Sequence, residues 1–440
     1  MTKEDIVGAA FRVWGEALFQ KISLSDVAAA LGCTKPALYR HFRSKDALLD
    51  AMYVSFFDRF AGFLADCFDG SRFDSADNGD NADAADAALL KFATALGEFF
   101  ARNKGEFLFL LVKVYGSPEN ERRLSLQLAE RGVDLGRFFA SGGEGKAGGG
   151  GHNTQQTHPA HPSMVQMVMG AVIFLVSQEH FRAGPGWHEG RGGGLAGESA
   201  IDIPIFLRGL REKIGHGLGF IRERVEKVDF ERLEKAVSFD VAFDSGINEM
   251  HLKLLTAVGE VLAETGPFEA SMEMFARKSG LSKSSLYSHF ENREDMILSL
   301  FTNEFKRITS IAAYNKAKSD VPEERFYLTL IAIAGYLSKH TMILRAIDKA
   351  RTRHKEPHPK DHRMDKESLF KMTEDIFTGI CVPTANGEMT FAKKDADYVL
   401  FMLVNALMFR PGGIDYEDVG NESMRILFRF LCLGVETDKR

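Results

Sequence analysis

The pattern of apolar positions between residues 23 and 52 predicts short helices separated by tight turns. Apolar residues recur three or four positions apart, which is the spacing that places side chains on one face of a helix. The first such run lies before Gly32, and the second run lies after it. The positions predicted to face inward are Val27, Ala28 and Leu31 in the first run and Leu38 and Phe42 in the second.

Turn and capping residues fall at the ends of these runs. Gly32 can leave the first helix at a positive φ angle, and Thr34 can cap the start of the second helix. Ser44 can cap a third helix beginning at Lys45, where free amide groups and the ammonium together favour a phosphate oxygen. Two short helices joined by a tight turn that contains glycine predict a helix-turn-helix.

The second helix of this motif carries basic and aromatic side chains on its outward and flanking faces, namely Lys35, Tyr39, Arg40 and His41. An ordinary helical hairpin also exposes a few charges, but it does not require such clustering on one helix behind a turn of suitable chemistry. The run GCTKPALYRHFRSKDALL resembles the DNA-binding signature of TetR-type (tetracycline-repressor-like) transcription regulators. It is similar to that family's turn, recognition helix and following helix start.

A second copy of the motif lies downstream, in SMEMFARKSGLSKSSLYSHFENREDMILSL from Ser271 to Leu300. The offset between Gly32 and Gly280 is 248 residues, and the other positions of the motif keep it. This offset aligns Val27 with Phe275, Ala28 with Ala276, Leu38 with Leu286, Tyr39 with Tyr287, His41 with His289, Phe42 with Phe290 and Lys45 with Arg293. An internal repeat of this length indicates two domains of similar plan in one chain.

The helix before each motif is repeated as well. Thr2 and Asp5 predict the N-terminal cap of the first of these helices. Its inward positions, Ile6, Ala10, Val13 and Ala17, correspond to Leu254, Val258, Val261 and Thr265 in the second copy. Each helix-turn-helix is therefore expected to pack against a preceding amphipathic helix.

The amino-acid composition of the 440-residue chain is typical of a globular protein, with 45% hydrophobic and 26% charged residues. The net charge of -6 gives no sign of a nucleic-acid binder, so DNA contacts must come from local basic clusters. The four cysteines, Cys33, Cys67, Cys381 and Cys432, form no CxxC pair. A reducing cytoplasm is therefore expected, without zinc or disulfides. Neither a signal-peptide pattern nor an apolar run of ~18 residues is found, so no membrane association is expected.

Helical patterning continues between and after the motifs, so the expected fold class is all-α, with two tandem units of TetR-like plan. We predict a first helix-turn-helix DNA-binding domain at 1–50, a first helical regulatory and dimerisation domain at 51–235, a second helix-turn-helix domain at 246–298 and a second regulatory domain at 299–440. Flexible insertions are expected at 69–86, 141–162 and 184–199, where the composition cannot bury enough apolar surface.

Met164–Ser177 and Tyr398–Phe409 are apolar nearly all round, which predicts helices buried on all sides. A helical pattern over Ile205–Val228 and an amphipathic one over Ser423–Leu433 follow them. In the family that the motif resembles, the last two long helices of each subunit form a four-helix bundle between two subunits. Both halves of this chain carry such a pair, so the resemblance implies a monomeric, intramolecular pseudo-dimer; further association of chains stays open.

The resemblance implies a sequence-specific regulator of transcription that binds double-stranded DNA. A repressor is expected, and the choice between repressor and activator stays open. Tyr39 and His41 are placed for phosphate contacts, Lys45 for a phosphate at a helix start, and Lys35 and Arg40 for base edges or nearby backbone. The candidate DNA-binding residues are Thr34, Lys35, Tyr39, Arg40, His41 and Lys45 in the first copy and Ser282, Lys283, Tyr287, Ser288, His289 and Arg293 in the second.

The two copies, called the first head and the second head below, differ in charge. The second head has Ser288 where the first has Arg40, and Glu291 where the first has Arg43. We therefore expect the second head to bind more weakly and to recognise a different half-site. The family resemblance also implies a small hydrophobic effector that releases DNA, which requires tighter binding to the arrangement that cannot hold DNA. Its binding residues cannot be identified from the sequence.

Two other interpretations stay open. In one, only the first head contacts DNA and the second completes the dimer-like body. In the other, the chain is an enzyme that binds metal through His152, His158 and His161 or through His354, His358 and His362. Prolines interrupt both sets, and no nucleophile elbow, phosphate loop, HExxH motif or carboxylate pair occurs. A DNGD segment at 77–80 lacks the oxygen ligands of a calcium loop. No catalytic residue, cofactor or metal is expected.

Overall fold

Both predicted motifs fold as runs of short helices, and the rest of the described chain is helical apart from one hairpin. The computed structural model describes residues 1–17, 23–68, 81–114, 126–133, 162–182, 201–239, 241–243, 246, 248–266, 269–352, 373–408 and 421–435. The chain divides into two compact units. The first comprises Met1–His161, Val172–Arg211 and Glu436–Arg440, and the second comprises Pro162–Ala171 and Glu212–Val435.

The first unit begins with the first head and continues into a helical body. Its helices are α1 (Lys3–Ala17), α2 (Leu24–Ala30), α3 (Lys35–Tyr39), α4 (Lys45–Phe68), α5 (Asn81–Arg102) and α6 (Lys104–Phe109), which runs on as a π-helical turn over Leu110–Val114. A short helical segment lies at 126–130. The unit also contains the later part of α7 (Pro162–Arg182) and most of α8 (Ile203–His216).

The second unit contains the second head and the C-terminal helices. Its elements are α9 (Arg222–Val225), α10 (Phe230–Ala236), α11 (Glu249–Thr265), α12 (Met272–Ser279), α13 (Lys283–Tyr287), α14 (Arg293–Lys316), α15 (Pro322–Lys339), α16 (Met342–Thr352), β1 (Cys381–Thr384), β2 (Gly387–Thr390), α17 (Lys393–Met408) and α18 (Asn421–Leu433). A helical segment at 373–377 precedes the hairpin.

Local sequence explains where the helices of the heads begin and end. The Thr2 amide donates to the Asp5 carboxylate at 2.6 Å and the Asp5 amide donates to the Thr2 hydroxyl at 3.2 Å, which confirms the predicted cap. Gly32 ends the turn after α2 with φ 62°, and Gly280 ends α12 with φ 72°; both positions need the left-handed region that glycine adopts without a Cβ clash.

A cluster of aromatic rings joins the first head to its body. Phe109 of α6 is fully buried, and its ring lies 5.4 Å from Phe11 of α1, 4.9 Å from Tyr53 and 5.8 Å from Phe56 of α4. Edge-on and tilted ring pairs at these distances add stabilisation beyond the buried area. Helices α1, α4 and α6 therefore form one packed core.

Helices α1 and α6 approach each other through glycine. A Cβ on Gly15 would lie 3.1 Å from the Gly105 amide nitrogen, and a Cβ on Gly105 would overlap the Phe11 carbonyl oxygen. The inward face of α1 is wider than predicted, because Val7, Ala9 and Phe11 are buried with Ile6 and Ala10, while Val13 is half-buried.

The two all-round apolar segments are confirmed as interior helices. Within the described parts of 164–177 in α7 and 398–408 in α17, every residue is buried or half-buried. A helix without an exposed polar face needs neighbours on several sides, which is the environment found here.

The second unit holds helices from both halves of the sequence. A Cβ on Gly170 of α7 would lie 3.1 Å from the Asn405 side chain of α17, and Lys213 of α8 makes a 3.1 Å ion pair with Asp395. The Leu218 amide donates to the Leu431 carbonyl oxygen at 2.8 Å. The start of α7 and the end of α8 thus pack on α17 and α18 within this unit.

Ion pairs hold α9 and α10, the two short helices between the halves of the sequence, in place. Arg224 of α9 donates to fully buried Glu323 at 2.5 and 3.1 Å. Arg425 donates twice to Glu234 of α10, at 2.8 and 2.7 Å, and the Tyr327 hydroxyl donates to the same carboxylate at 2.7 Å. The hydrogen bonds from Arg425 lower the pKa of Glu234, so the carboxylate stays ionised.

The β-hairpin was not predicted. Strands β1 and β2 pair antiparallel, with Cys381 opposite Thr390 and Thr384 opposite Gly387. The connection is Ala385-Asn386, and Gly387 follows it with φ 117°. An Asn-Gly pair is a sequence signal for a hairpin, although here it lies one residue later than the two connecting residues. The hairpin is a small addition to an otherwise helical fold.

The predicted loop at 69–86 is wrong at its C-terminal end, because α5 already begins at Asn81. The run from Asn81 is rich in alanine, the strongest helix former, and this outweighs its acidic character. Residues 69–80, with the DNGD segment, lie outside the described residues, as do 141–161, 184–199 and both sets of histidines. The boundaries at 50, 235, 246 and 298 stay predictions.

Candidate nucleic-acid interface

The two heads have the same helix plan in the same register. Helix α3 spans Lys35–Tyr39 and α13 spans Lys283–Tyr287, while α4 spans Lys45–Phe68 and α14 spans Arg293–Lys316. Every one of these boundaries is shifted by the predicted 248 residues. The repeat is therefore structural as well as sequential.

Helix α3 points its apolar side inward and its polar side outward. Leu38 is fully buried and Phe42 nearly so, which confirms the predicted inward pair. Tyr39 is 46% exposed, and Lys35 and Arg40 are exposed. The helix is short, so Arg40 lies at its C-cap, and His41, half-buried, lies in the following turn.

The turn before this helix differs between the heads. Thr34 occupies the N-cap position, but its side chain makes no capping hydrogen bond, so the predicted cap is wrong in that respect. Pro36 removes one of the free amides, and the Ala37 amide donates to the Thr34 carbonyl oxygen instead. In the second head the Ser282 hydroxyl accepts from the Ser285 amide at 3.1 Å. Thr34 and Ser282 are both exposed.

The start of α4 has the features of a phosphate site. The Ser44 hydroxyl accepts from the Ala47 amide at 3.1 Å, which confirms the predicted cap, and Lys45 is exposed in the first turn. Exposed Arg43 immediately precedes this helix. An oxyanion here would meet a lysine, an arginine and the positive end of a 24-residue helix.

Lys3 extends the same basic surface, although it was not among the predicted contacts. It is exposed at the start of α1, with its ammonium 5.9 Å from the Phe42 ring centroid. The signal that could have identified it is a lysine in the first turn of the helix that packs on the motif. From Gly32 to Lys45 the first head has four lysines and arginines and no acidic residue.

The second head presents the same positions with less free positive charge. Tyr287 is 53% exposed, and Ser288 and His289 are exposed. Lys283 is exposed, and it makes an ion pair with Glu273 of α12, which offsets its positive charge. The Ser288 hydroxyl donates back to the Ser285 carbonyl oxygen at 2.7 Å.

Arg293 occupies the position of Lys45 but is held internally. Only 21% of its side chain is exposed, its Nε donates to the Ala270 carbonyl oxygen at 2.7 Å and one terminal nitrogen donates to Glu294 at 2.7 Å. The predicted phosphate contact at this position would require Arg293 to leave these partners.

His251 stands where the first head has Lys3. Its ring lies 4.6 Å from Phe290 and 6.3 Å from His289. Burial, and secondarily the nearby His289, lower the pKa of His251, so it is neutral at pH 7. The second head thus has a histidine ring where the first has a lysine side chain.

Comparison with known proteins agrees with this geometry. The family model described as "Bacterial regulatory proteins, tetR family" matches residues 6–52 and again residues 254–300. The chain carries two tetR-type DNA-binding domains in tandem. The two matched segments are offset by the same 248 residues as the helices, and each contains one complete helix-turn-helix.

One relative of this tetR-type chain is the "Fatty acid metabolism regulator protein" of Bacillus subtilis (strain 168). The two are 24% identical over 94 residues, which is 21% of this chain. The match spans 45% of the relative's length, so it extends to less than half of that protein. The similarity to this relative and to the family model therefore concerns the helix-turn-helix domains of the chain.

The described part of the chain contains no group of three or more His, Cys, Asp or Glu side chains placed to hold a metal ion. None of its helices is long and apolar enough to cross a membrane. The described cysteines, Cys33, Cys381 and Cys432, are free thiols.

Proposed function

We propose that this protein is a repressor that occupies an operator with two unequal heads. The first head supplies most of the affinity and base recognition, and the second head contacts a different half-site more weakly. The operator is therefore asymmetric. Its location on chromosomal DNA would place the protein in the cytoplasm.

The observation that carries this proposal is the difference in available charge between the heads. Lys35, Arg40, Arg43 and Lys45 are exposed in the first head. In the second head Lys283 is exposed but paired with Glu273, and Ser288 and Glu291 replace the two arginines. Phosphate contacts dominate affinity for DNA, and arginine contacts to base edges provide discrimination of about 1–3 kcal/mol each. A head with fewer free cations binds DNA more weakly, and its affinity depends less on the salt concentration.

The proposal includes an intramolecular pseudo-dimer. It is supported by the packing of α7 and α8 on α17 and α18 inside the second unit, because these are the C-terminal helix pairs of the two halves. Covalent linkage removes the concentration dependence of an ordinary dimer. One chain would then present two heads without a partner chain.

A small hydrophobic effector is proposed to release the DNA. The name of the Bacillus relative concerns fatty acid metabolism, so fatty acids are the first compounds to test. Release requires that the effector bind the DNA-free arrangement more tightly than the DNA-bound one, and by linkage DNA then weakens effector binding by the same factor.

A second candidate is a regulator with one active head. It is favoured by the internal hydrogen bond of Arg293 to Ala270 and by the Lys283–Glu273 ion pair, which occupy two cationic positions of the second head. In that case the second head completes the body and recognises no bases.

Selection of bound sequences from a random DNA pool separates these candidates. Wild type, Arg40→Ala and the double variant Tyr287→Ala/His289→Ala are compared. Two different half-sites at fixed spacing, each lost with its own head's variant, support the two-headed repressor. One half-site that ignores the double variant supports the one-headed regulator, and absence of any enriched sequence refutes both.

A further inference from the structure

The two heads differ in the charges on the first helix of the helix-turn-helix, which is α2 in one and α12 in the other. The charged residue of α2 is Asp26, and the helix ends with exposed Ala29 and Ala30. At the repeat offset of 248 residues, Arg277 and Lys278 of α12 take the positions of these alanines. The second head therefore has two cations on a helix where the first head has none.

Lys278 faces α11, the helix that packs behind the motif. Its ammonium lies 3.1 Å from the carboxylate of Glu260 and 3.0 Å from that of Glu264, and both residues belong to α11. Two acidic partners more than balance the charge of this lysine. Lys278 thus joins α12 to α11 and adds no free charge to the side of the head that carries α13.

The opposite side of α12 is marked by Glu273. Its carboxylate makes an ion pair with Lys283, the first residue of α13. Residues four positions apart lie within about 40° of each other around a helix, so Arg277 is on the same side as Glu273. Lys278 is five positions from Glu273, or about 140° around the helix, in agreement with its contacts to α11. Arg277 therefore lies on the side of α12 that faces α13.

The guanidinium of Arg277 is free to bind an external group. The side chain is exposed in the last turn of α12, shortly before Gly280 turns the chain toward α13 with φ 72°. In the described part of the chain, no residue makes a hydrogen bond or an ion pair with it. A cation in the last turn also stabilises a helix through its dipole, but that effect does not depend on which side the cation faces.

The side of α12 next to α13 is where a helix-turn-helix meets the DNA backbone. The second helix of the motif enters the major groove, and the first helix crosses the phosphate backbone beside it. A guanidinium binds a phosphate with two parallel hydrogen bonds, which makes it a strong phosphate ligand. The second head has Ser288 and Glu291 in place of Arg40 and Arg43, so its free cation precedes α13 instead of following it.

We propose that Arg277 binds a phosphate group of the second half-site and anchors the second head there. The inference rests on the proposed two-headed function, because it requires a second head that contacts DNA. The two heads then hold the backbone at different places. The first head uses the start of α4, after the second helix of its motif, and the second head uses the end of α12, before that helix.

The test uses the full-length chain and the duplex that wild type selects from a random pool. Fluorescence anisotropy over a range of salt concentrations gives the affinities of Arg277→Gln, Arg277→Lys and Lys278→Gln. Lys278→Gln is the matched control, because it removes the same charge one residue further along α12, from the side that faces α11. The double variant Tyr287→Ala/His289→Ala shows separately whether the second head binds DNA, and circular dichroism shows which variants remain folded.

Arg277→Gln should weaken binding roughly eightfold at ~0.1 M salt and make the slope of log affinity against log salt concentration shallower by about 0.9, the contribution of one phosphate. Arg277→Lys should keep the slope and lose less affinity, since an ammonium keeps the charge but not the paired hydrogen bonds. Lys278→Gln should stay within about twofold of wild type, because a charge on the far side of the helix is largely screened.

If the double variant loses affinity and folded Arg277→Gln does not, the contact at Arg277 is wrong while the two-headed function holds. If the double variant binds like wild type, or if no duplex is enriched, the two-headed function fails and the contact fails with it. A loss in Arg277→Gln no larger than that in Lys278→Gln would also overturn the contact, because the general loss of one charge would then explain it.

Discussion

The inequality of the two heads is tested most sharply at one repeated position, which Lys45 occupies in the first head and Arg293 in the second. Lys45 is exposed at the start of α4, whereas Arg293 donates to the Ala270 carbonyl oxygen at 2.7 Å. Changing each residue to glutamine removes one positive charge from an equivalent place. The two variants therefore serve as controls for each other.

The expected magnitudes follow from counterion release. Each phosphate that a protein cation neutralises on duplex DNA contributes about 0.9 to the slope of log affinity against log salt concentration. At ~0.1 M salt one such contact increases the affinity for DNA by a factor of roughly eight. Lys45→Gln should therefore weaken binding roughly eightfold and make the slope shallower by about 0.9. Arg293→Gln should leave the slope unchanged and lower the free energy of unfolding by about 1–2 kcal/mol, because a partly buried carbonyl loses its donor.

The assay is fluorescence anisotropy with the selected duplex over a range of salt concentrations, combined with urea unfolding of each variant. An equal loss of slope in both variants would mean that Arg293 leaves Ala270 for a phosphate, and the inequality would be wrong. No change in Lys45→Gln would show that the start of α4 is not a phosphate site.

Three further results are expected. Glu273→Gln frees Lys283 and should strengthen binding to the weaker half-site by up to roughly eightfold, measured by anisotropy; unchanged affinity would count against the ion pair as a restraint. Gly105→Ala brings a methyl group against the Phe11 carbonyl oxygen and should lower the free energy of unfolding of the first unit by about 1–3 kcal/mol in urea titrations. An unchanged free energy of unfolding would mean that α1 and α6 move apart freely and would contradict the prediction. Burial lowers the pKa of His180, so the unfolded state takes up the proton first and stability should fall as pH drops below ~6.5; a profile identical to that of His180→Gln would refute this.

Local sequence signals account for much of the fold and of the first head. Helical periodicity placed Leu38 and Phe42 inward, and the Thr2 and Ser44 caps were visible as residue types at fixed offsets. The Asn386-Gly387 pair indicates a turn, but the sequence around it has a helical pattern, so the hairpin could not be predicted. The loop predicted at 69–86 is too long at its C-terminal end, because the helix propensity of alanine outweighs the acidity of this run.

Tertiary contacts account for the features that the sequence could not predict. In the sequence, nothing distinguishes Glu273 and Lys283 from other exposed charged residues. Only the packing of α12 against α13 brings them together as an ion pair. Arg293 aligns with Lys45, and nothing local indicates that it will turn toward Ala270.

The most direct test of the central claim is hydroxyl-radical footprinting of the complex with the selected duplex, together with its stoichiometry. We expect one chain per duplex and two protected patches, with the stronger protection at the half-site that Arg40→Ala disrupts. A single protected patch, or two equal patches that require two chains per duplex, would contradict a two-headed chain with unequal heads.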